Sequence, residues 1–297
     1  MSVILGLWPI AGVTTVGVSR DDARSTIAAA IDAGIRRFDT AYSYGYDGES
    51  DRLIGEFLQA DRDSFELIGK AGQRWTPDRK RVVDGRPQTL TADVEESLRR
   101  AGLDHFDVLM LHSPDPDVPL SESAAAIDTM RRSGKAKRIG ICNADENQRK
   151  QFAAVAGCDA IQCPLNLLQQ DSLDTLIRPA AADGAQCHVY WTLMKGLLAG
   201  KIGRDHQFPE GDSRPKYDVF QGEKRERAHR IVDALRDIGS GIGRSVASLS
   251  IGWAVSQDGV SGALVGARRP DQILETADAT ALDASTLAQI DQLLADV

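Results

Sequence analysis

Cysteine is scarce: Cys142, Cys158, Cys163 and Cys187 are the only four in 297 residues. They form neither a C-x-x-C pair nor a paired framework. That excludes a disulfide scaffold and points to reduced, half-buried thiols. The five histidines never fall at metal-ligand spacing. Cys187 and His188 are adjacent within a strand-like run, where a buried strand pair is expected rather than a ligand set, so no metal is assigned. Apolar runs stop short of the roughly 18 residues a bilayer-spanning helix needs. No secretory signal is seen, so a cytoplasmic protein with no membrane partner is expected. With a net charge of −8, the chain lacks the basic face of a general nucleic-acid binder. The local group Arg131, Arg132, Lys135, Lys137 and Arg138 reads as a solvated helix end entering a strand. A G-x-G-x-x-G turn directly after a strand is also absent, which argues against an open doubly wound sheet.

What is present is an alternation of short β-rich runs and amphipathic helical segments. Strands are expected near Val3 to Leu7, Arg36 to Thr40, Phe65 to Lys70, Phe106 to Leu111, Ala136 to Ile141, Ala160 to Cys163, Gln186 to Trp191 and Gly262 to Val265. Helices are expected at Arg20 to Ala33, Glu49 to Gln59, Ala92 to Ala101, Ser123 to Ser133, Glu146 to Ala156 and Leu173 to Asp183. After a long loop from Lys195 to Gly222 come helices at Lys224 to Asp237 and Ser245 to Ser256, joined by a Gly239–Gly243 linker. Helices at Asp271 to Ala279 and Ser285 to Ala295 complete the pattern. Eight β→α units without a break in composition predict one α/β domain over residues 1–297, a closed (β/α)8 TIM barrel.

In such barrels function gathers at the C-terminal ends of the strands. Asp39 ends the second predicted strand, Lys70 the third, His112 follows the fourth and Asn143 the fifth. Gln162 lies in the sixth, Tyr190 near the end of the seventh, Arg268 just past the eighth, and Tyr44 in the loop after Asp39. Reducing a carbonyl by hydride transfer develops negative charge on oxygen, so the site needs a proton donor and electrostatic help. An unperturbed phenol titrates near ~10. A neighbouring ammonium is expected to lower that value, with an aspartate holding the ammonium charged and a histidine orienting the carbonyl. Tyr44, Lys70, Asp39 and His112 are those residue types.

At these positions the sequence resembles the aldo-keto reductase superfamily, in its bacterial and plant-type branch. Asp39-Thr40-Ala41-Tyr42-Ser43-Tyr44-Gly45 resembles the family's D-T-A-x-x-Y-G, Lys70 its lysine, and Leu111-His112-Ser113-Pro114-Asp115 its L-H-x-P-D. Gly140-Ile141-Cys142-Asn143 resembles G-x-S-N, and Gln162 with Asn166 resembles Q-x-x-x-N. The resemblance implies that Asn143 and Gln162 hold the nicotinamide carboxamide and that Tyr190 stacks on its ring. It further implies that the loop with Leu193, Gly196 and Lys201 covers the pyrophosphate, while Gly266, Arg268, Arg269, Gln272 and Glu275 grip the adenosine end. Three departures stand out: Cys142 for serine, Trp191-Thr192 for Ser-Pro, and Thr276 where an asparagine often contacts adenine.

Arg268 and Arg269, just before a predicted helix, suit a phosphate, so NADPH is expected, with NADH as the alternative. The expected partner is a small carbonyl or alcohol substrate; no oligomeric state is assigned. Trp8 and Trp75 are the first choices for an apolar pocket wall, with Tyr46, Trp191 and Phe220 behind them, and Arg74 is a candidate for an anionic substrate group. Two alternatives accompany the reductase reading. One is an alcohol, sugar or pyridoxal-type dehydrogenase; the other is a cofactor-binding regulatory subunit on the same fold.

Overall fold

A computed structural model describes residues 2–12 and 17–296. The expected domain, 1–297, thus includes a few positions outside the described residues. Eight parallel strands form the barrel: β1 Val3–Gly6, β2 Arg37–Asp39, β3 Glu66–Ala71, β4 Phe106–Leu111, β5 Ala136–Cys142, β6 Ala160–Pro164, β7 Gln186–Tyr190 and β8 Val260–Gly266. Each pairs with its sequence neighbour, and β1 pairs with both β2 and β8, which closes the ring. The helices are α1 Arg20–Asp32, α2 Glu49–Leu58, α3 Pro87–Ala101, α4 Leu120–Arg132, α5 Glu146–Ala156, α6 Arg178–Ala182, α7 Gly222–Ile242, α8 Val246–Ser256, α9 Pro270–Leu274 and α10 Ala284–Asp296.

Successive strand residues face opposite sides, and this alternation builds two cores. Phe38, Leu67, Leu109, Leu111, Ile139, Ile161 and Val189 point outward and pack, with the helices, into the large apolar layer around the barrel. The interior holds a smaller cluster of Ile4, Ile68, Val108, Met110, Cys142, Ala160 and Leu264. Below it lies an ionic plug that the sequence reading missed. Arg37 donates to Glu66 at 2.8 Å, and Arg138 donates to the other Glu66 oxygen at 2.7 Å. Arg37 Nη2 also lies 2.8 Å from Nε2 of the buried His188. Burial and the guanidiniums of Arg37 and Arg138 hold His188 down near 3, so it is neutral and accepts the bond. Above the apolar layer, the same inward register of β2, β3, β6 and β7 continues to Asp39, Lys70, Gln162 and Tyr190.

Four expectations need correction. The polar stretch after β3 contains a hairpin, Gln73–Trp75 paired antiparallel with Arg81–Val83, and α3 begins early, at Pro87, where the missing N–H costs nothing. The predicted Leu173 to Asp183 helix is a π-turn, Leu173–Ile177, followed by the short α6. Pro179, which has no N–H to donate, lies at this junction. The predicted Asp271 to Ala279 helix is only α9. The supposed glycine linker is the last turn of α7, which runs to Ile242 and ends on a left-handed Gly243.

Gly239 is there for contact, not flexibility. A Cβ would sit 2.3 Å from the Arg244 carbonyl oxygen as the chain folds back, whereas nothing lies within 4 Å of one on Gly241. Gly239→Ala is therefore expected to destabilise the protein by about 1–3 kcal/mol. Gly241→Ala is expected to stabilise it by roughly 0.5–1 kcal/mol by favouring the helix. Urea unfolding of both variants checks this; equal, negligible effects would mean that the segment is a linker.

Candidate active site

The barrel's upper rim gathers Asp39, Lys70, Tyr44 and His112. Asp39 and Lys70 are both buried, and Lys70 Nζ lies 2.5 Å from Asp39 Oδ1. The ammonium also donates to the Tyr44 hydroxyl at 3.0 Å and to the Thr40 carbonyl at 3.4 Å. The Tyr44 hydroxyl lies 3.3 Å from the same Asp39 oxygen. The other Asp39 oxygen accepts from Gln162 Nε2 at 2.7 Å. The His112 ring meets Tyr44 edge-on, with centroids 5.9 Å apart.

Burial drives the Lys70 ammonium toward neutrality, but the Asp39 carboxylate, together with Tyr44 and Cys142, holds the lysine charged, above its ordinary range. For Tyr44 the balance corrects the sequence reading. Burial pushes its pKa up, Lys70 pulls it down, and Asp39 pushes it up again; the net direction is upward. The phenol holds its proton. His112 goes the other way: burial, then the charges of Lys70 and Arg81, keep its imidazole well below the usual histidine range. Its buried Nδ1 has no partner among the described residues. Burial also raises the Cys142 thiol to about 12, so it stays protonated.

Beside this network, Asn143 takes a left-handed backbone (φ 55°). Its Nδ2 donates to the His112 carbonyl at 2.8 Å, and its Oδ1 accepts from the Tyr190 hydroxyl at 2.6 Å. Trp191, Met194, Lys195 and Gly196 also have positive φ. Such a run in the loop after β7 is backbone strain of the kind that collects at binding sites. Trp191 packs edge-on against Tyr190 and Tyr217, with Leu193 partly buried beside them. Lys201 pairs with Glu275, joining this loop to the segment after β8. There Gln272 Oε1 accepts from the Arg268 N–H at 2.9 Å. The pore-side face of Gly266 is closed by Pro9, 2.5 Å from where a Cβ would stand. Arg268 and Arg269 have no carboxylate within salt-bridge reach among the described residues, whereas nearby Arg214 is committed to Asp212. Burial and the charges of Arg214 and Arg269 lower the Arg268 pKa, with Asp212 acting in the opposite sense. Thr276 is buried and bonds back to the Gln272 carbonyl, so it has no free hydroxyl.

Over the rim sits the hairpin. Trp75 Nε1 donates to the Ser43 carbonyl at 2.9 Å and its ring meets Tyr46 at 5.0 Å. Trp8 meets Tyr44 at 5.1 Å. Two pocket expectations fail. Phe220 is buried against Phe208, 5.3 Å away, in the outer core. Arg74 is consumed by Asp93 at 2.7 Å and by the Tyr42 ring.

Comparison with known proteins agrees with this architecture. A family model described as the aldo/keto reductase family matches residues 2–295. The chain belongs to the aldo/keto reductase family. A glycerol dehydrogenase from Gluconobacter oxydans superposes with a TM-score of 0.91 at 32% identity, covering 99% of this chain and 91% of that one. An aldo-keto reductase of Bacillus subtilis (strain 168) is 32% identical over 279 residues, 91% of this chain and 82% of its own length. An NADH-specific methylglyoxal reductase of Escherichia coli (strain K12) is 27% identical over 299 residues, 95% of this chain and 90% of its own. This aldo/keto reductase is thus an oxidoreductase that uses a nicotinamide dinucleotide on small carbonyl or alcohol compounds. No helix among the described residues is long and apolar enough to cross a membrane.

Two features of this aldo/keto reductase's site carried no sequence signal: the Gln162–Asp39 bond and the hairpin's Arg81. Register explains the first, because Gln162 and Asp39 share the inward set of their strands.

Proposed function

We propose that the protein reduces small aldehydes or ketones to alcohols with NADPH, reversibly, and that Tyr44 is the general acid. The carrying observation is the Lys70 ammonium held by Asp39 at 2.5 Å and set 3.0 Å from the Tyr44 hydroxyl. A carbonyl oxygen placed between Tyr44 and His112 would gain a proton from the first and a hydrogen bond from the neutral imidazole of the second. As the phenol gives up its proton, Lys70 faces the developing phenolate, while Asp39 keeps Lys70 charged and in place. In the oxidative direction the phenolate form of Tyr44, facing the Lys70 ammonium, takes the proton from the alcohol. Trp8 and Trp75 exclude water on the substrate side. When bound, the dinucleotide supplies or accepts the hydride.

The residues present fit that group. Asn143 and Gln162 would hold the carboxamide, Gln162 bracing Asp39 as well. Tyr190 would flank the ring, and Leu193, Gly196 and Lys201 would lie over the pyrophosphate. Gly266, Gln272 and Glu275 would shape the adenosine pocket, and Arg268 and Arg269 would take a 2′-phosphate. The fit rests on the two guanidiniums lacking a carboxylate in salt-bridge reach among the described residues and on the strained loop after β7. With only 5 residues, α9 contributes little dipole, so the guanidiniums carry the phosphate contact. NADH is the alternative dinucleotide, as in the Escherichia coli relative. Net oxidation is the alternative direction, as in the Gluconobacter relative. We place the protein in the cytoplasm on its reduced, partly buried thiols.

Tyr44→Phe is expected to lower kcat/KM for carbonyl reduction by about 10²–10⁴-fold, with dinucleotide affinity retained in a fluorescence titration. Turnover within twofold of the parent on every accepted substrate would remove Tyr44 from the role. Replacing Arg268 and Arg269 together with alanine is expected to raise the Kd for NADPH about tenfold more than that for NADH, the loss of one strong charge-assisted contact. Equal losses for the two dinucleotides would contradict the NADPH assignment.

A further inference from the structure

The hairpin over the barrel mouth has two faces, and its pairing says which residues share them. Gln73 pairs with Val83 and Trp75 with Arg81, while Arg74 pairs with Val82. Side chains directly opposite one another project from the same side of a two-stranded sheet. The face bearing Gln73, Trp75 and Arg81 is the one turned to the rim. Gln73 Nε2 donates to Ser113 Oγ at 2.7 Å, next to His112, and Trp75 Nε1 donates to the Ser43 carbonyl, next to Tyr44. Arg81 places its guanidinium 5.4 Å from the centre of the Trp8 ring, and Trp8 is in turn the aromatic neighbour of Tyr44. The guanidinium therefore stands one ring away from the proton donor, and its charge is among those felt by His112.

Two other cations of this region are occupied. Arg74 is tied to Asp93, and Lys80 is paired with Asp78 at 2.7 Å. Arg81 is exposed and has no carboxylate within salt-bridge reach among the described residues; its guanidinium lies over the Trp8 ring. Arg79 repeats the arrangement further out, 4.6 Å from the Tyr46 ring. The mouth is thus walled by Trp8, Tyr46 and Trp75 and topped by two guanidiniums with no carboxylate in salt-bridge reach among the described residues. A flat cation of this kind binds carboxylate or phosphate in a fork of two hydrogen bonds.

We propose that Arg81 is a specificity-determining residue that binds the distal anion of the substrate, so that the preferred substrates are aldehydes or ketones carrying a carboxylate or phosphate a few carbons, or one aryl ring, from the carbonyl. This rests on the carbonyl reaction proposed above and deepens it by naming the substrate class. The carbonyl sits at Tyr44 and His112, the spacer lies along Trp8, and the anion meets the guanidinium. Lysine at this position keeps the charge but loses the fork.

The test compares 4-carboxybenzaldehyde with 4-nitrobenzaldehyde, a neutral partner of the same shape, and glyceraldehyde 3-phosphate with glyceraldehyde. For Arg81→Ala the anionic-to-neutral ratio of kcat/KM is expected to fall about tenfold or more, the equivalent of one charge-assisted contact, and mainly through KM. Arg81→Lys should retain part of the ratio, and added salt should erode the parent's preference. The carboxylate and phosphate pairs show which anion the fork favours. A ratio unchanged by Arg81→Ala in both pairs overturns the proposal. Calorimetric binding of 4-carboxybenzaldehyde to the NADP⁺-loaded protein separates this from a failure of the reaction itself. A selective affinity loss in Arg81→Ala upholds the contact even where turnover is absent, and equal affinity refutes it even where turnover is normal.

Discussion

A lysine and an aspartate, both withdrawn from water and 2.5 Å apart, set the terms for the rest of the site. Either charge left alone there would be uncompensated, at a cost of several kcal/mol, while a well-packed apolar pair would serve stability as well or better. Stability alone does not account for the pair. The pair fixes the ammonium against Tyr44, and its second carboxylate oxygen draws in Gln162 from the opposite side of the barrel. Through these bonds, residues from β2, β3, β6 and the loop after β2 become one rigid unit.

The barrel makes this possible by layering its interior. The ionic plug of Arg37, Glu66, Arg138 and His188 fills the lower end, an apolar band follows, and polar groups reappear at the upper rim. The Asp39 and Lys70 side chains are almost wholly withdrawn from water, so their contact acts in a poorly screened setting. The same setting keeps His112 neutral and Tyr44 protonated. These are the states suited to orienting a carbonyl and giving it a proton.

Much of this was legible in the sequence because two periodicities carry it. Alternation along each strand puts Lys70 on the inward face with Ile68, and the end of each strand marks the rim, so Asp39, Lys70, His112 and Tyr190 declared themselves. Other features depend on tertiary partners that no local pattern encodes. The hairpin strands are too short, at 3 residues each, to show a period. Arg37, Glu66 and Arg138 look like ordinary solvated charges at strand starts. Gly239 resembles a linker residue because the carbonyl it accommodates arrives from Arg244. The acidity of Tyr44 differs from the sequence expectation for the same reason: the lysine beside it is visible in the motif, whereas the desolvation that raises its pKa belongs to the folded barrel.

The central claim is that burial and the Asp39 carboxylate, against the pull of Lys70, keep the proton on Tyr44. The most direct measurement is a pH titration of the Tyr44 Cζ resonance in tyrosine-labelled protein, assigned by its absence in Tyr44→Phe. The account predicts no titration of that signal up to pH about 10, the midpoint of an ordinary phenol. A midpoint clearly below that value would show that the ammonium dominates and would contradict it.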